Sequence, residues 1–391
     1  MRITLVIGGL GGGGAERVCV NLANSWVERG HHVTILTVFQ STTSAYDIDS
    51  RVQRRSVDWP RLPRHDEFSA TVVKPIMRGL QQAGCARQLT QDLALFALLR
   101  DRILAQKPDV VVSHMDVTNL RVLVAMHETN VPVIACEHTD ATRVPLGWWQ
   151  SVRAALLPRA RFVVTPHEES AGWFSKYDVE VVTIPNPLIP PGKMRVEQNG
   201  HRRRLVSLSR LSADKRPDLS IEAFASIAGE FPDWDFEMYG DGPMRATVAS
   251  MIEKLAAGRI HLRGFTRNPY DVLSGADLFV STSWIEGFGN SIWEAMACGV
   301  PVVATDAGTT IRALVRDRVD GMISNDTVPA LARDLATLMR DDVKRAEMAE
   351  RAREVIDRFS LEASLSAWDN VLTESRSRQC GGIFSESRSR Q

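Results

Sequence analysis

Short apolar runs alternate with longer amphipathic stretches along most of this chain, and the alternation stops once and then restarts. The runs at 2–8, 32–39, 108–113, 131–136, 161–165 and 180–184 read as strands, with helical patterns such as 15–29 and 89–105 between several of them. Strands apolar along their whole length are buried on both faces, and helices between them impose parallel crossover connections. Residues 185–204, PNPLIPPGKMRVEQNGHRRR, break the pattern with proline, glycine and charge, as an inter-domain linker does. Strand patterns then resume at 205–208, 236–239, 260–263, 278–281 and 300–304, again with helices between. The expectation is α/β: two Rossmann-like, doubly wound domains facing a central cleft, with ligands outside the carboxyl ends of the strands.

With 391 residues the chain is long enough for two cores. The expected division is a first domain over 1–185 on the acceptor side, a second over 186–358, and a helix over 359–373. That helix either closes the second domain or crosses back to the first. Two helical segments are expected late in the chain, at 328–340 and 343–366. Residues 374–391 carry ESRSRQ twice, and Ser/Arg-rich sequence cannot bury enough apolar surface to fold, so a disordered tail is expected.

Lysine plus arginine equals aspartate plus glutamate at 47 each, so no global field points to nucleic acid or to an acidic partner. The five cysteines lie far apart with no CxxC pair, which suits a reducing cytoplasm rather than a disulfide framework. The apolar run at the N-terminus is too short for a signal peptide, and no stretch reaches the roughly 18–20 apolar residues of a membrane span. The expected setting is the cytoplasm, with association on the inner face of the membrane left open. Nine histidines form no HExxH, which argues against a zinc hydrolase. His114, His127 and His167 read as surface or packing residues.

The loop GGLGGGGAER contains Gly9, Gly11 and Gly14 at dinucleotide-fingerprint spacing, between a strand and a helix. The fingerprint also needs a carboxylate about 20 positions on, at the end of the second strand. That strand ends in Thr37-Val38-Phe39-Gln40-Ser41, without one. No Lys-Ser/Thr follows the loop, so it is not a P-loop. Two readings remain: a plain turn, or a backbone that approaches a phosphate or sugar at a helix N-terminus.

In the second half, EGFGNSIWE sets Glu286 in a loop after a strand and Glu294 about one turn into the next helix. Carboxylates accept well from vicinal sugar hydroxyls, and glycines at a helix start expose N–H groups to a diphosphate. The alternative is two solvated charges at a helix start. Upstream, SRLSADKRPD places Arg210 and Lys215 after the first strand of the second domain, where two cations suit a diphosphate. YGDGP at 239–243 is a further glycine turn at a strand end.

Together these residues resemble a retaining, metal-independent glycosyltransferase of family 4 with the GT-B fold, over roughly residues 1–372. The likeness rests on GGGGAERV, PNP, SRL…DK, YGDGP, the Phe265-Thr266 loop and, most specifically, EGFGNSIWEAMACGVPVVAT. GGGGAERV is similar to members that assemble bacterial exopolysaccharide, O-antigen or lipid-linked glycans, the amylovoran-biosynthesis type among them. The resemblance implies that Glu286 contacts the transferred sugar, that Glu294 holds the donor ribose, and that Arg210 and Lys215 neutralise the leaving diphosphate. It places the backbone of Phe288, Gly289, Asn290 and Ser291 against sugar and phosphate, and Gly264 and Phe265 near the nucleobase. Gly12 and Gly13 fall where the N-terminal loop closes on the donor, and His138, in CEHTD, lies near the donor sugar. Asn290 departs from the family pattern, where an aliphatic residue is usual.

The function so implied is transfer of a hexose or N-acetylhexosamine from a nucleotide-sugar, with UDP favoured, to a glycan or lipid-linked acceptor in bacterial surface polysaccharide synthesis. No cofactor or metal is expected. A double displacement needs a carboxylate nucleophile ~5 Å from its partner acid. None is evident, so a front-face route is preferred, with Arg210 and Lys215 stabilising the leaving group. Rival readings are a sugar-nucleotide epimerase of the same fold and a non-catalytic sugar-nucleotide-binding protein.

Asp47-Ile48-Asp49 spells a DxD but lacks partner ligands in its loop. The segment at 145–162, with Trp148, Trp149, Arg153, Arg159 and Arg161, reads either as a basic amphipathic helix for an anionic membrane or as a helix packed on the sheet. Arg51, Arg54, Arg55, Arg61 and Arg64 with Trp59 form a second basic cluster.

Overall fold

The computed structural model describes residues 1–39, 44–57, 70–82, 84, 92–144, 146–192, 202–255 and 258–380. The chain forms two compact units, Met1–Ile184 joined by Glu362–Gln391, and Pro185–Leu361. Each is an α/β unit built on one parallel sheet.

In the first unit the strands are β1 (Arg2–Ile7), β2 (His32–Thr37), β3 (Gln53–Ser56), β4 (Val110–His114), β5 (Val133–Cys136), β6 (Phe162–Thr165) and β7 (Val181–Thr183). Their order across the sheet is β3-β2-β1-β4-β5-β6-β7. The strand order therefore reverses between β1 and β4, which opens a crevice at their carboxyl ends. Val6, Val111, Ala135 and Val163 of the sheet enter one core with Phe96, Leu120 and Leu156 from the covering helices. The edge strand β3 has no sequence signature, because its residues QRRS are mostly exposed and it is held by its ladder to β2.

The second unit contains β8 (Arg203–Leu208), β9 (Trp234–Tyr239), β10 (Ile260–Gly264), β11 (Leu278–Ser281), β12 (Val302–Thr305) and β13 (Gly321–Ser324), in the order β10-β9-β8-β11-β12-β13. Successive side chains of a strand point to opposite faces, and the cores show it. Leu205, Val280 and Val303 enter one cluster, while their neighbours Val206, Phe279 and Val302 enter the other. Here the order reverses between β8 and β11.

Two expectations about helices are corrected. Residues 343–366 do not form one helix; the chain makes the helices Asp342–Ala352 and Val355–Arg358, then turns into Leu361–Cys380. The turn at Phe359 lets its ring meet Phe288 edge-on at 5.6 Å. The final helix returns to the first unit, with Trp368 edge-on to Trp26 at 5.6 Å and Arg29 bound to Glu362 and Asp369. It takes in 374–380 of the expected tail, and 381–391 lie outside the described residues.

The segment at 145–162 is likewise not one basic helix. Its helix is Trp149–Leu156, followed by a 3-10 turn at Leu157–Arg159 and then β6. Arg153 is 1% exposed, so the helix presents no such arginine face to a membrane. Trp59, Arg61 and Arg64 lie outside the described residues. Among the described residues no helix is long and apolar enough to cross a membrane.

Candidate active site

In the second unit, the loops after β8 and β11 flank the reversal of strand order. After β8 a short 3-10 turn, Ala213–Lys215, carries Lys215, and the backbone passes through a left-handed Arg216 (φ +46°) into the helix Pro217–Ile227. After β11, Thr282 Oγ1 shares its one proton between the carbonyls of Lys215 at 2.9 Å and Arg216 at 2.8 Å, and the Trp284 N–H donates to the Asp214 carbonyl at 2.8 Å. These bonds stitch the loops together.

Lys215 Nζ can then donate to Glu286 Oε1 at 2.8 Å and to the Ile285 carbonyl at 3.2 Å. Ser283 Oγ donates to the same Glu286 oxygen at 2.6 Å. The ammonium and the carboxylate are each partly open to solvent, at 20% and 13%. Arg210, on the loop between β8 and Lys215, is exposed, and its guanidinium pairs with no other described residue. It is a cation available to an anion at this edge.

Gly289 caps the helix Asn290–Ala297 in the left-handed conformation, φ +81°. A side chain there would be strained and would crowd Leu314 Cδ1 at 3.0 Å. This bend carries Phe288 inward, 5% exposed, and leaves Asn290 and Ser291 half-buried at the helix start. Asn290 Oδ1 accepts from Asn186 Nδ2 at 2.8 Å, so its side chain engages the start of the unit. Glu294 lies in the helix and is 3% exposed, deeper than Glu286. Burial, with Glu294 nearby, pushes the Cys298 thiol up to about 12.

Gly264 ends β10 and Phe265 follows it, 50% exposed. The Gly240 N–H donates to the Gly264 carbonyl at 2.8 Å, while a Cβ on Gly240 would lie 1.8 Å from the Ser209 carbonyl oxygen. YGDGP therefore needs glycine so that the turns after β8, β9 and β10 can close on one another.

In the first unit, Gly12 (φ +106°) and Gly13 lie on the loop after β1, and Gly13 is the N-cap of the helix Gly14–Glu28. His138 stands just after β5, with its Nε2 2.9 Å from His114 Nδ1 at the end of β4. Asp116 and Glu137 are close to these histidines in the chain, and Arg153 faces both carboxyls. Arg153 Nη2 is 3.6 Å from Glu137 Oε2 and 3.8 Å from Asp116 Oδ1. Thr139 Oγ1 donates to Asp116 at 2.8 Å, and Asn119 Nδ2 to Glu137 Oε1 at 3.2 Å.

Burial raises the Glu137 carboxyl well above its usual range, and the neighbouring Asp116 adds to this. Burial opposes ionisation of Asp116 too. Hydrogen bonds from Glu137 and Thr139 and the charge of Arg153 nevertheless hold it low, so the pair shares one proton, on Glu137. Burial pushes His138 down to about 4 and His114 well below its ordinary value.

Ser283, Thr282, Asp116, Glu137 and Arg153 were not singled out in the sequence as site residues. Only Ser283, three positions before Glu286, carried a readable spacing signal. His114, expected to be a surface or packing residue, is buried against His138. His127 is also buried, and His167 caps the helix Glu168–Phe174 by accepting the Ser170 N–H. In the DxD, Asp49 grips Arg51 at 2.7 Å, and Asp47 offers its carbonyl to Asn24.

Two family models match side by side: Glycosyltransferase Family 4 over residues 12–190 and Glycosyl transferases group 1 over residues 193–355. The chain is 22% identical over 377 residues to the GalNAc-α-(1→4)-GalNAc-α-(1→3)-diNAcBac-PP-undecaprenol α-1,4-N-acetyl-D-galactosaminyltransferase of Campylobacter jejuni, covering 96% of this chain and 99% of the relative. It is 35% identical over 167 residues to the poly(ribitol-phosphate) α-N-acetylglucosaminyltransferase of Staphylococcus aureus, covering 42% of this chain and 34% of the relative. Among solved structures, HepE of Anabaena in complex with UDP and glucose superposes with TM-score 0.74 at 19% identity, covering 96% of this chain and 100% of that one. TarM of S. aureus superposes with TM-score 0.73 at 17% identity, over 95% and 98%. At these identities the superpositions speak for the fold, and the family models for the kind of protein. The chain belongs to the GT-B glycosyltransferases described by those two models, group 1 and family 4.

Proposed function

We propose that this chain is a retaining glycosyltransferase that moves a hexosyl or N-acetylhexosaminyl group from a UDP-sugar to a glycan or lipid-linked acceptor of bacterial surface polysaccharide synthesis, without a metal. The observation that carries the reading is the Lys215–Glu286 pair at the reversal of strand order, with Arg210 exposed on the same loop and an N-terminal helix end beside it. Cations and N–H groups fixed there stabilise the charge that develops on a departing diphosphate. Glu286, held by Lys215 and Ser283, is oriented to accept from a sugar hydroxyl, and Glu294 is the candidate for the ribose.

In a front-face course, the bond from the anomeric carbon to the diphosphate breaks as the acceptor oxygen attacks from the same side. The acceptor's proton passes to the departing phosphate oxygen. Atoms balance without a carboxylate nucleophile on the chain. Gly264 and Phe265 are assigned to the base, the Phe288–Ser291 backbone to sugar and phosphate, Gly12 and Gly13 to donor closure, and His138 to the sugar. UDP is favoured because the neighbours HepE and TarM were solved with it, and the acceptor class follows the names of the C. jejuni and S. aureus relatives.

A thermal-shift screen against UDP, GDP, ADP and their sugars tests the donor, and product analysis with labelled donor tests transfer. Retention of the anomeric configuration, undiminished by chelator, is the expected result. An inverted product, isomerised donor, or chelator-sensitive turnover would each remove part of the assignment.

A further inference from the structure

His114 and His138 stand at the ends of adjacent strands, with the two imidazole planes within 21° of each other at a centroid distance of 5.1 Å and His114 Nδ1 2.9 Å from His138 Nε2. One of those two nitrogens carries the shared proton, and which one follows from the surroundings. His114 is fully buried, and its other nitrogen, Nε2, is sealed from solvent with no hydrogen-bond partner among the described residues. A neutral imidazole has a single N–H. On Nε2 it would be a buried donor with nothing to receive it, the rarer and costlier defect. On Nδ1 it is donated to His138, and only a lone pair goes unused. Burial opposes a second proton on His114.

His138 therefore accepts at Nε2 and, as a neutral ring, carries its own proton on Nδ1. His138 is half-buried, and its Nδ1 is neither sealed nor bonded to any described residue. Between His114 and Asp116 in the chain is Met115, held at φ +78° while its N–H donates to the Cys136 carbonyl at 3.1 Å. Backbone in so sparsely populated a conformation persists only where its surroundings enforce it. Of the charged groups packed here, Asp116 acts on His138, Glu137 keeps its proton, and Arg153 faces those two carboxyls.

We propose that His114 is a positioning residue that locks His138 in the Nδ1–H tautomer, so that His138 meets the transferred sugar as a hydrogen-bond donor to a hydroxyl oxygen and not as a base. The role at the sugar rests on the function proposed above. The tautomer does not.

The test is a two-bond ¹H–¹⁵N spectrum of full-length protein labelled at histidine nitrogens, near neutral pH, with the His138 signals assigned by their loss in His138→Asn. The expected spectrum shows His138 protonated at Nδ1 and bare at Nε2. His114→Leu releases His138 to a mixture of tautomers and lowers kcat about tenfold, the worth of one hydrogen bond. His114→Asn, whose amide N–H overlays the imidazole Nδ1–H, retains both the tautomer and the rate. A wild-type His138 protonated at Nε2 overturns the proposal, and so does a folded His114→Leu with an unchanged His138 spectrum. Should His114→Leu fail to fold, the wild-type and His114→Asn spectra still decide. The spectrum needs no substrate, so a protein without transferase activity would sink the functional reading while the tautomer stands or falls by itself.

Discussion

The ammonium of Lys215 donates to Glu286 at 2.8 Å although the two residues are 71 positions apart in the chain. The pair is largely buried, with 20% and 13% of the two side chains open to solvent, and that open face lies at the strand ends where a ligand can reach it. The pair is better explained by what it presents to a ligand than by stability. Lys215→Ala is expected to lower kcat by about 10²-fold or more, the scale seen when one fixed donor to a developing charge is removed. Its melting temperature should also fall, because Glu286 loses the cation that compensates its part-buried charge. Near-normal turnover in Lys215→Ala or Glu286→Gln would sink the assignment of the site.

Gly289→Ala tests the bend that opens the donor loop. The left-handed backbone costs a side chain roughly 1–2 kcal/mol, and its Cβ would press on Leu314 at 3.0 Å. Denaturant unfolding should show that loss, and UDP affinity should fall with it. A variant as stable and as tight-binding as wild type would mean that the loop tolerates another conformation.

Asn290→Leu puts an aliphatic side chain at the helix start and removes the acceptor of Asn186. Stability is expected to fall by about 1 kcal/mol, with the preference among donor sugars unchanged. A changed donor preference in a competition assay would show that Asn290 reads the sugar as well.

The buried Arg153 faces two carboxyls, one of them ionised. Arg153→Met removes the only cation in contact with Asp116 and Glu137 among the described residues, and removing one partner of a buried ion pair costs about 3–5 kcal/mol. Without the arginine the carboxyls hold protons more tightly in the fold, so the deficit should grow as pH rises above the ordinary carboxylate range. Melting curves between mildly acidic and mildly alkaline pH check this. A deficit independent of pH would mean that lost packing on Trp173 and Phe174 dominates.

His138 is held at about 4 in the fold against an ordinary 6.5. The unfolded chain therefore binds more protons between those values, and stability should fall as pH drops from 6.5 towards 4. His138→Asn should reduce the dependence of melting temperature on pH in that window, and the share that the depressed His114 contributes should remain. An unaltered slope would show that His138 is free to take up a proton in the folded protein.

Much of this was legible in one sequence because periodicity is local. Runs apolar along their length mark strands covered on both faces, and the break at 185–204 marks where one sheet stops. EGFGN was readable for the same reason, since a glycine in the left-handed conformation and a helix start are set within a few residues. Edge strand β3 was not legible, because its charged residues pair through the backbone and carry no periodic signal. Arg153 misled for a related reason. Its position on an amphipathic helix says nothing about two carboxyls brought beneath it by other strands.

What the sequence by itself determined is the class of fold, the placing of candidate residues at strand ends, and the need for glycine at the bends. What only the tertiary structure decided is which of those ends are neighbours. Lys215 meets Glu286 because β8 lies beside β11, and His114 meets His138 because β4 lies beside β5. Strand order is fixed by long-range packing of helices on sheet faces, and a pairwise contact across tens of residues leaves no periodic trace in a single chain.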